Sequence, residues 1–257
     1  MSSVDLRLGR WEDVLADVTC DTLIVDAPYS ERTHDGHAAG EIARVDLSAY
    51  KAKHGGAGAC PNGRNAINYD RWSTEDVAAF VAAWHPRTRG WFVSITDSAL
   101  APVWQAALAG TGRYVFPPLP FLEMGKQPRL TGDGPASWTC WIVVARPSTR
   151  EFASWGSLPG GYTTSSKHFP DRIPGGKPLP FMRSLVRDYS RLGDVVCDPC
   201  CGGGTTLIAA AIEGRTAIGS EMDAATHAIA SKRLARGYTP SFLTGEPAPR
   251  HHNEALL

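Results

Sequence analysis

The last third of the chain carries the pattern that most constrains its fold. Val195, Val196 and Cys197 form a short apolar run that predicts a buried strand at 193–196, and the glycines at 202–204 lead from it into a predicted helix at 205–213. A second strand is predicted at 216–220 and ends at Glu221. Strands that alternate with helices in this way predict an α/β fold, with a mostly parallel sheet and helices on both of its faces.

The same alternation continues over the rest of the chain. Further strands are predicted at 5–8, 21–25, 91–95, 114–116 and 138–145, and further helices at 11–17, 73–84, 100–108, 179–189 and 224–236. Ser73, with Asp76 three positions later, comes close to a capping box at the start of one of these helices. The Pro- and Gly-rich stretches 117–135 and 146–174 are predicted to be loops.

We expect a single domain over residues 1–257, since a 43% hydrophobic content suffices for a sizeable core. Residues 31–71 hold many glycines and no long apolar run, which predicts a flexible loop or a small insertion with one short helix near 43–53. The Pro-rich, polar tail at 239–257 is expected to fray.

Composition limits the classes of function. The chain has 26 basic and 26 acidic residues, so any binding of nucleic acid requires a local basic face. It has no run of about 18 apolar residues, so no membrane span is expected. The amino terminus lacks a secretory leader, so we expect a cytoplasmic protein without disulfides. Cys197 and Cys200 form a C-x-x-C pair, but no second pair completes a site, and we expect no metal.

Three acidic residues stand where predicted strands end. Asp26 follows the strand at 21–25, Asp198 follows the strand predicted at 193–196, and Glu221 follows the strand at 216–220. Ligands of parallel sheets bind at the carboxyl ends of the strands. We therefore expect these three carboxylates to share one rim and to face a ligand.

The segment that begins at Asp198 has the features of a nucleotide cofactor loop. Its glycines permit a tight turn and a close approach of a ligand to the backbone, and Glu221 suits the ribose hydroxyls of an adenosine. No Gly-Lys-Ser/Thr follows, which disfavours a phosphate-cradling P-loop, and the third glycine of a dinucleotide fingerprint is missing. The alternative is an ordinary tight turn, with Glu221 as a surface acid.

The tetrapeptide at 26–29 has a chemical logic for methylation of an amine. An exocyclic amino group is a poor nucleophile because its lone pair is delocalised into the ring. The Asp26 carboxylate and a backbone carbonyl at Ala27 or Pro28 would accept its two N–H bonds and so orient the nitrogen. Tyr29 would stack on a base drawn out of a nucleic-acid helix.

These two segments resemble the hallmarks of the amino-methyltransferases that modify adenine N6 or cytosine N4 in DNA. Residues 26–29 match an Asp/Asn/Ser-Pro-Pro-Tyr/Phe tetrapeptide, and 198–206 match a cofactor loop Asp-Pro-Phe-x-Gly-x-Gly-Thr-Thr. The tetrapeptide comes first, as in the permuted group called β, and Lys177-Pro178 is similar to a Lys-Pro element of that group. The resemblance covers 5–30 and 167–237 well, and the middle only through its sheet pattern.

The resemblance implies a Rossmann-like S-adenosylmethionine-dependent methyltransferase fold, with a seven-stranded, mostly parallel sheet and a circularly permuted motif order. It implies transfer of a methyl group from S-adenosylmethionine to a flipped DNA base, in a restriction–modification or phage setting. An Asp-type tetrapeptide favours adenine N6, while cytosine N4 stays open. A methyltransferase for RNA or protein amides, and a non-catalytic module that binds nucleic acid or a partner, are the further alternatives.

The implied catalytic residues are Asp26, Ala27, Pro28 and Tyr29. The implied cofactor-binding residues are Asp198, Pro199, Cys200, Gly202, Gly204, Thr205, Glu221, Met222, Lys177 and Trp11. For Trp11 a place in the core at the start of a helix is the alternative. Three positions depart from the family pattern. Ala27 replaces a proline, which makes the turn less rigid, and Cys200 replaces a phenylalanine, which leaves more room beside the cofactor. Arg10 follows Gly9, where an Asp often follows the glycine in the family.

Contacts with DNA are expected from basic side chains in the predicted loops. The residues assigned to them are Arg32, Lys53, Arg64, Arg129 and Lys167. Such side chains would bind phosphates and fix the register of the protein on the duplex. The alternative is ordinary solvated surface charge. A chain of this length is also expected to form a homodimer on its DNA site.

Overall fold

A computed structural model of the protein describes residues 3–31, 33, 71–124, 135, 137–165 and 176–237. The predicted short helix near 43–53 and the predicted tail at 239–257 lie outside these residues.

The described residues form strands and helices that follow one another in the predicted alternation. The strands are β1 (Val4–Leu8), β2 (Thr22–Asp26), β3 (Phe92–Thr96), β4 (Tyr114–Val115), β5 (Leu119–Met124), β6 (Thr139–Arg146), β7 (Tyr162–Ser165), β8 (Val195–Asp198) and β9 (Thr216–Glu221). The helices are α1 (Trp11–Val14), α2 (Thr74–Trp84), α3 (Ala101–Ala109), α4 (Arg150–Ala153), α5 (Leu179–Tyr189), α6 (Thr205–Ile212) and α7 (Ala224–Ala235), with a 3₁₀ turn at His85–Arg87.

The strands build one sheet in the order β1-β9-β8-β2-β3-β6-β5-β7, with β4 paired to β6. Strands β1, β9, β8, β2 and β3 are parallel neighbours, and β6 runs antiparallel to β3, β4 and β5. The expected mostly parallel α/β sheet is thus confirmed. It has nine strands among the described residues rather than the seven that the resemblance implied.

Helices cover both faces of the sheet because the strands carry apolar side chains on both sides. On one face, Ile24 of β2 and Val93 of β3 share a core with Leu185 of α5 and Leu207 of α6. On the other face, α2 and α3 pack on the sheet through an aromatic core. In this core Phe80 lies edge-on to Trp104 at 5.7 Å between ring centroids. The residues at the centres of both cores are fully buried, so close packing on both faces fixes the position of the sheet between them.

The start of α2 carries the capping box that the sequence indicated. Ser73 Oγ accepts a hydrogen bond from the Asp76 backbone N–H at 3.2 Å, and the Asp76 carboxylate accepts from the Ser73 N–H at 2.8 Å. The preceding residue, Trp72, stacks on Trp104 at 6.0 Å. The chain is therefore fixed in place where it re-enters the described structure at Arg71.

Two stretches predicted to be loops contain regular structure. The stretch 117–135 contains β5, and the stretch 146–174 contains α4 and β7. Pro120 obscured β5, since proline cannot donate to a ladder and argues against a central strand. It is tolerated at this position because the ladder between β5 and β7 begins only at Phe121, so Pro120 lies before the first paired residue on that side of the strand.

None of the helices in the described part of the chain combines the length and apolar character that crossing a lipid bilayer requires.

Candidate active site

Four carboxylates line one edge of the sheet, on four strands that are parallel neighbours. Glu221, Asp198 and Asp26 are the last residues of β9, β8 and β2, and Asp97 follows the last residue of β3. Leu23 of β2 is in register with Cys197 of β8, which joins the two predicted halves of the site directly. The shared rim expected from the sequence is therefore present, and it has a fourth acidic member.

The tetrapeptide forms a tight corner after β2. Ala27 is buried, and the Tyr29 hydroxyl lies 3.2 Å from Asp26 Oδ1 and 3.4 Å from Cys140 Sγ on β6. The Trp72 N–H donates to the Tyr29 carbonyl at 3.1 Å. These contacts fix the Tyr29 ring beside the Asp26 carboxylate although Ala27 stands in place of the family's proline.

Lys177 reaches the same carboxylate from the segment before α5. Its Nζ donates to Asp26 Oδ1 at 2.7 Å and to Oδ2 at 2.6 Å, and it lies 5.0 Å from the centre of the Tyr29 ring. The Lys177 side chain is 8% exposed and that of Asp26 is 22% exposed. The resemblance assigned Lys177 to the cofactor, whereas in the structure its charged end contacts the residue assigned to catalysis.

Asp97 holds the chain that follows the tetrapeptide. Its Oδ2 accepts hydrogen bonds from the Ser30 N–H at 3.0 Å, from Ser30 Oγ at 2.5 Å and from Thr33 Oγ1 at 2.6 Å. Its Oδ1 accepts from the Leu100 N–H at 2.9 Å, at the start of α3. Burial raises the pKa of Asp97, but the hydrogen bonds from Ser30 and Thr33 outweigh it and leave that pKa below its usual value. Asp97 thus ties the tetrapeptide to β3 and α3 as an ionised carboxylate.

Sequence reasoning missed Asp97, although the signal was present. It lies just beyond a predicted strand, as the three recognised carboxylates do. The strand was predicted to end at residue 95, and β3 extends to Thr96, so Asp97 stands directly at its end.

The predicted cofactor loop turns sharply between β8 and α6. Gly204 begins the helix with a φ of 74°, a left-handed conformation that favours glycine. Ser220 Oγ donates to the Pro199 carbonyl at 2.9 Å, and the Cys201 N–H donates to the Ser220 carbonyl at 3.0 Å. Arg233 of α7 donates to the Gly203 carbonyl and, at 3.1 Å, to Thr205 Oγ1. The loop is thus held by β9 and by α7.

Asp198 is buried at the centre of this arrangement. Its Oδ1 accepts from the Cys200 N–H at 3.1 Å, and it is 1% exposed. Burial raises the pKa of Asp198 to about 7, and the negative charges of Asp26 and Glu221 act in the same direction. The carboxylates of the rim therefore repel one another, which favours a cationic ligand among them.

Glu221 lies at the rim beside the loop. Burial raises its pKa, and the Asp223 N–H donates to its Oε1 at 2.8 Å. The next side chain, Met222, is 58% exposed. Trp11 packs against Phe80 at 5.1 Å between ring centroids and is partly buried, so it belongs in part to the aromatic core. Its role at the cofactor stays a prediction.

The residues around Asp198 fit S-adenosylmethionine by the chemistry of their groups. Asp198 and Glu221 are suitable acceptors for an ammonium and for ribose hydroxyls, and a phosphate would be repelled by the same carboxylates. A Cβ added at Gly202 would meet no atom within 4 Å, so the turn leaves open space on that side. At Gly219 the backbones of β9 and β8 approach each other closely, since a Cβ there would lie 2.8 Å from the Asp198 carbonyl oxygen.

The residues assigned to DNA contacts lie outside the described residues. They are Arg32, Lys53, Arg64, Arg129 and Lys167. Within the described part of the chain, no group of three or more His, Cys, Asp or Glu side chains is arranged to hold a metal ion.

Solved structures share this architecture. The complex of M1.HpyAVI with S-adenosylmethionine superposes with a TM-score of 0.61 and 17% identity, over 90% of this chain and 99% of that one. The cytosine-N4-specific PvuII DNA methyltransferase superposes with a TM-score of 0.61 and 12% identity, over 95% of this chain and 91% of that one. At these identities the likeness shows the fold.

Sequence comparison identifies the family of the chain. It is 50% identical over 46 residues to the type II methyltransferase M.MthZI of Methanothermobacter thermautotrophicus, a match that spans 18% of this chain and 13% of that protein's length. The family model described as DNA methylase, for N6 and N4 methyltransferases, matches residues 69–232, which is more than half of the chain. The chain therefore belongs to the N6/N4 DNA methylase family, a family of S-adenosylmethionine-dependent DNA methyltransferases.

Proposed function

We propose that the protein transfers the methyl group of S-adenosylmethionine to an exocyclic amino group of a base drawn out of DNA. The observation that carries this proposal is the pairing of β2 with β8. It brings the Asp26–Tyr29 corner, which is built to hold a planar amine, beside the Asp198 loop, which is built to hold a cationic cofactor.

On the base side, the chain supplies orientation. The Asp26 carboxylate accepts one N–H bond of the amino group, and the carbonyl of Ala27 or Pro28 accepts the other. Tyr29 presents its ring to the base, and its hydroxyl contact with Asp26 keeps the ring and the carboxylate in one fixed relation. Fixing the nitrogen with its lone pair toward the methyl donor is the main contribution to the rate.

Asp26 also stabilises the charge that develops during the reaction. As the new nitrogen–carbon bond forms and the methyl–sulfur bond of the sulfonium breaks, with S-adenosylhomocysteine as the leaving group, positive charge appears on the amino nitrogen. The carboxylate beside it then becomes a stronger partner for the N–H group. The proton leaves the nitrogen after methyl transfer, so Asp26 need not be a strong base.

On the cofactor side, the chain supplies a site of complementary charge. The bound S-adenosylmethionine supplies an electrophilic methyl group on its sulfonium. Asp198 and Glu221 would accept hydrogen bonds from its ammonium and ribose groups, and the turn at Gly202–Gly204 would leave room for the adenosine. Burial of Asp198 excludes water from this end of the site.

We propose adenine N6 as the target, because the tetrapeptide begins with Asp as in the enzymes that methylate adenine. Cytosine N4 is the second candidate, because the family model that matches the chain covers both N6 and N4 methyltransferases. Both amines are planar and attached to an aromatic ring, so the Asp26 and Tyr29 contacts suit either.

Analysis of nucleosides from cells that express the protein tests the proposal. DNA from a host without its own amino-methyltransferases is digested, and N6-methyldeoxyadenosine and N4-methyldeoxycytidine are measured by mass spectrometry. We expect N6-methyldeoxyadenosine with the wild-type chain and neither product with Asp26→Ala. Methylation of the DNA by Asp26→Ala at the wild-type level would refute the role of Asp26, and methylated RNA or protein without methylated DNA would refute the substrate.

The DNA contacts, the homodimer and the role of residues 31–71 as an insertion that contacts DNA are parts of the same proposal. Paired substitution of Lys53 and Arg64 by Ala tests the first of these through the salt dependence of DNA affinity. The slope of log affinity against log salt should fall by about two, one for each lost phosphate contact. Light scattering of the free protein and of its DNA complex tests the homodimer.

A further inference from the structure

Lys177 places an ammonium group against the Asp26 carboxylate and the Tyr29 ring, the two groups proposed to receive the amine and here together called the amine pocket. Its Nζ contacts both carboxylate oxygens, at 2.7 and 2.6 Å, and lies 5.0 Å from the centre of the Tyr29 ring. With 8% of its side chain exposed, Lys177 does not reach into solvent but fills interior space. The ion pair is therefore part of the pocket and not a surface contact.

The amino group of a target base requires the same two partners. Its N–H bonds need the Asp26 carboxylate as acceptor, and its ring needs the face of Tyr29. Asp26 is 22% exposed, so little of its surface remains for a second cation. The Lys177 ammonium and the substrate nitrogen thus compete for one place.

Charge prevents the two from sharing Asp26 during methyl transfer. Positive charge develops on the amino nitrogen as it takes up the methyl group. An ammonium fixed within hydrogen-bond distance of the same carboxylate would repel that charge and weaken the stabilisation that Asp26 gives. Lys177 must therefore leave Asp26 when the base enters.

We infer that Lys177 is a positioning residue that holds the amine pocket until a base displaces it. In the protein alone, its ammonium compensates a largely buried carboxylate and so keeps Asp26 in its working place. The base must replace this contact, which makes Lys177 a determinant of affinity for the base. This inference rests on the proposed function, since it deepens the description of the same site.

The resemblance to the β group predicts a different role, in which Lys177 binds the cofactor. The two roles have opposite consequences when the charge is removed. If Lys177 binds the cofactor, removing its charge weakens cofactor binding. If Lys177 competes with the base, removing its charge strengthens binding of the base.

Lys177→Met separates the two roles, with Lys177→Arg as the matched control that keeps the charge. The KM for unmethylated plasmid DNA, prepared from a host without amino-methyltransferases, should fall on the order of tenfold in Lys177→Met, because the competing state is removed. The calorimetric Kd for S-adenosylhomocysteine should stay at the wild-type value, and Lys177→Arg, which keeps the charge, should show a smaller fall in KM than Lys177→Met. A weakened Kd for S-adenosylhomocysteine with an unchanged or raised KM for DNA would overturn the inference.

A second measurement is independent of methylation. Deoxyadenosine and deoxycytidine are tested as probes by saturation-transfer NMR. We expect binding to Lys177→Met, little or none to the wild type, and none to the double variant Lys177→Met/Asp26→Asn. Equal signals from all three proteins, or none from Lys177→Met, would overturn the inference.

The two experiments distinguish this inference from the proposed function. If the wild-type chain methylates no DNA, the proposed function fails, and the nucleoside measurement still decides the role of Lys177. If Lys177→Met is not folded at the temperature of the assays, Lys177→Gln replaces it in both experiments, because Gln keeps hydrogen-bonding capacity without the charge.

Discussion

Lowering the pH below neutrality should weaken binding of S-adenosylmethionine because Asp198 takes up a proton. Burial raises the pKa of this carboxyl to about 7, with the charges of Asp26 and Glu221 adding to the effect. In the absence of a cation the protonated form therefore dominates below pH 7. A cationic cofactor binds best to the ionised form, so its affinity is lost as the pH falls through that range.

The size of the effect follows from the pKa. If the cofactor binds only the ionised form, the apparent Kd is multiplied by about 1.1 at pH 8 and by about 11 at pH 6, so that it rises about tenfold between them. Titration of the cofactor's own amino group adds to any pH dependence, and it does so equally in every variant of the protein.

Calorimetric titration with S-adenosylmethionine at pH 6, 7 and 8 measures this effect, with Asp198→Asn as the matched control. The difference in log Kd between the wild type and Asp198→Asn should change by about one between pH 8 and pH 6. Glu221→Gln should keep most of the wild-type slope. If the Kd of the wild type changes between pH 8 and pH 6 by no more than the Kd of Asp198→Asn does, the assignment of the proton to Asp198 is refuted. The same holds if both proteins show the tenfold change.

Four further changes follow from the structure. The pKa of Asp198 is about 7 in the folded protein and near 3.9 in the unfolded chain, so the free energy of unfolding falls as the pH rises from 3.9 toward 7. Asp198→Asn should therefore stabilise the free protein more at pH 8 than at pH 5, as measured by urea unfolding. Asp97→Asn should lower kcat by roughly tenfold while the Kd for S-adenosylhomocysteine stays unchanged, because the contacts to Ser30 and Thr33 that fix the tetrapeptide weaken. Gly204→Ala should lower the free energy of unfolding by about 1–2 kcal/mol, as the left-handed φ of 74° disfavours a side chain, and Gly110→Ala, at a right-handed helix end, should have a much smaller effect. Ser73→Ala should cost about 1 kcal/mol of stability through loss of the capping box, measured by the same unfolding experiment.

The fold was predictable where local pattern and tertiary structure agree. Residues 179–189 form α5 with the predicted bounds, because apolar residues at helical spacing meet a clear stop at the following strand. The strands that end in Asp26, Asp198 and Glu221 were predicted from short apolar runs. Since parallel strands place their carboxyl ends together, the common rim followed from these runs alone.

The remaining differences arise from interactions that a local pattern does not contain. Strand β5 contains Pro120 and is stabilised by β6 and β7, which come later in the chain. The close approach of Gly161 to Pro120, where a Cβ would lie 3.0 Å from the proline ring, likewise depends on that pairing. The partner of Lys177 is 151 positions away, and a sequence motif does not specify which of two neighbouring acidic groups a long side chain reaches.

The hydrogen bond from the Trp72 N–H to the Tyr29 carbonyl closes the chain between these two residues. It brings the two ends of the intervening stretch together at a distance of 3.1 Å, and the exposed pair of Glu31 and Arg71 stands at the same point. The entropy of closing a loop grows only slowly with its length. Insertions between these two anchors should therefore cost little stability, and chimeras that exchange the stretch between them would test the DNA contacts proposed for it.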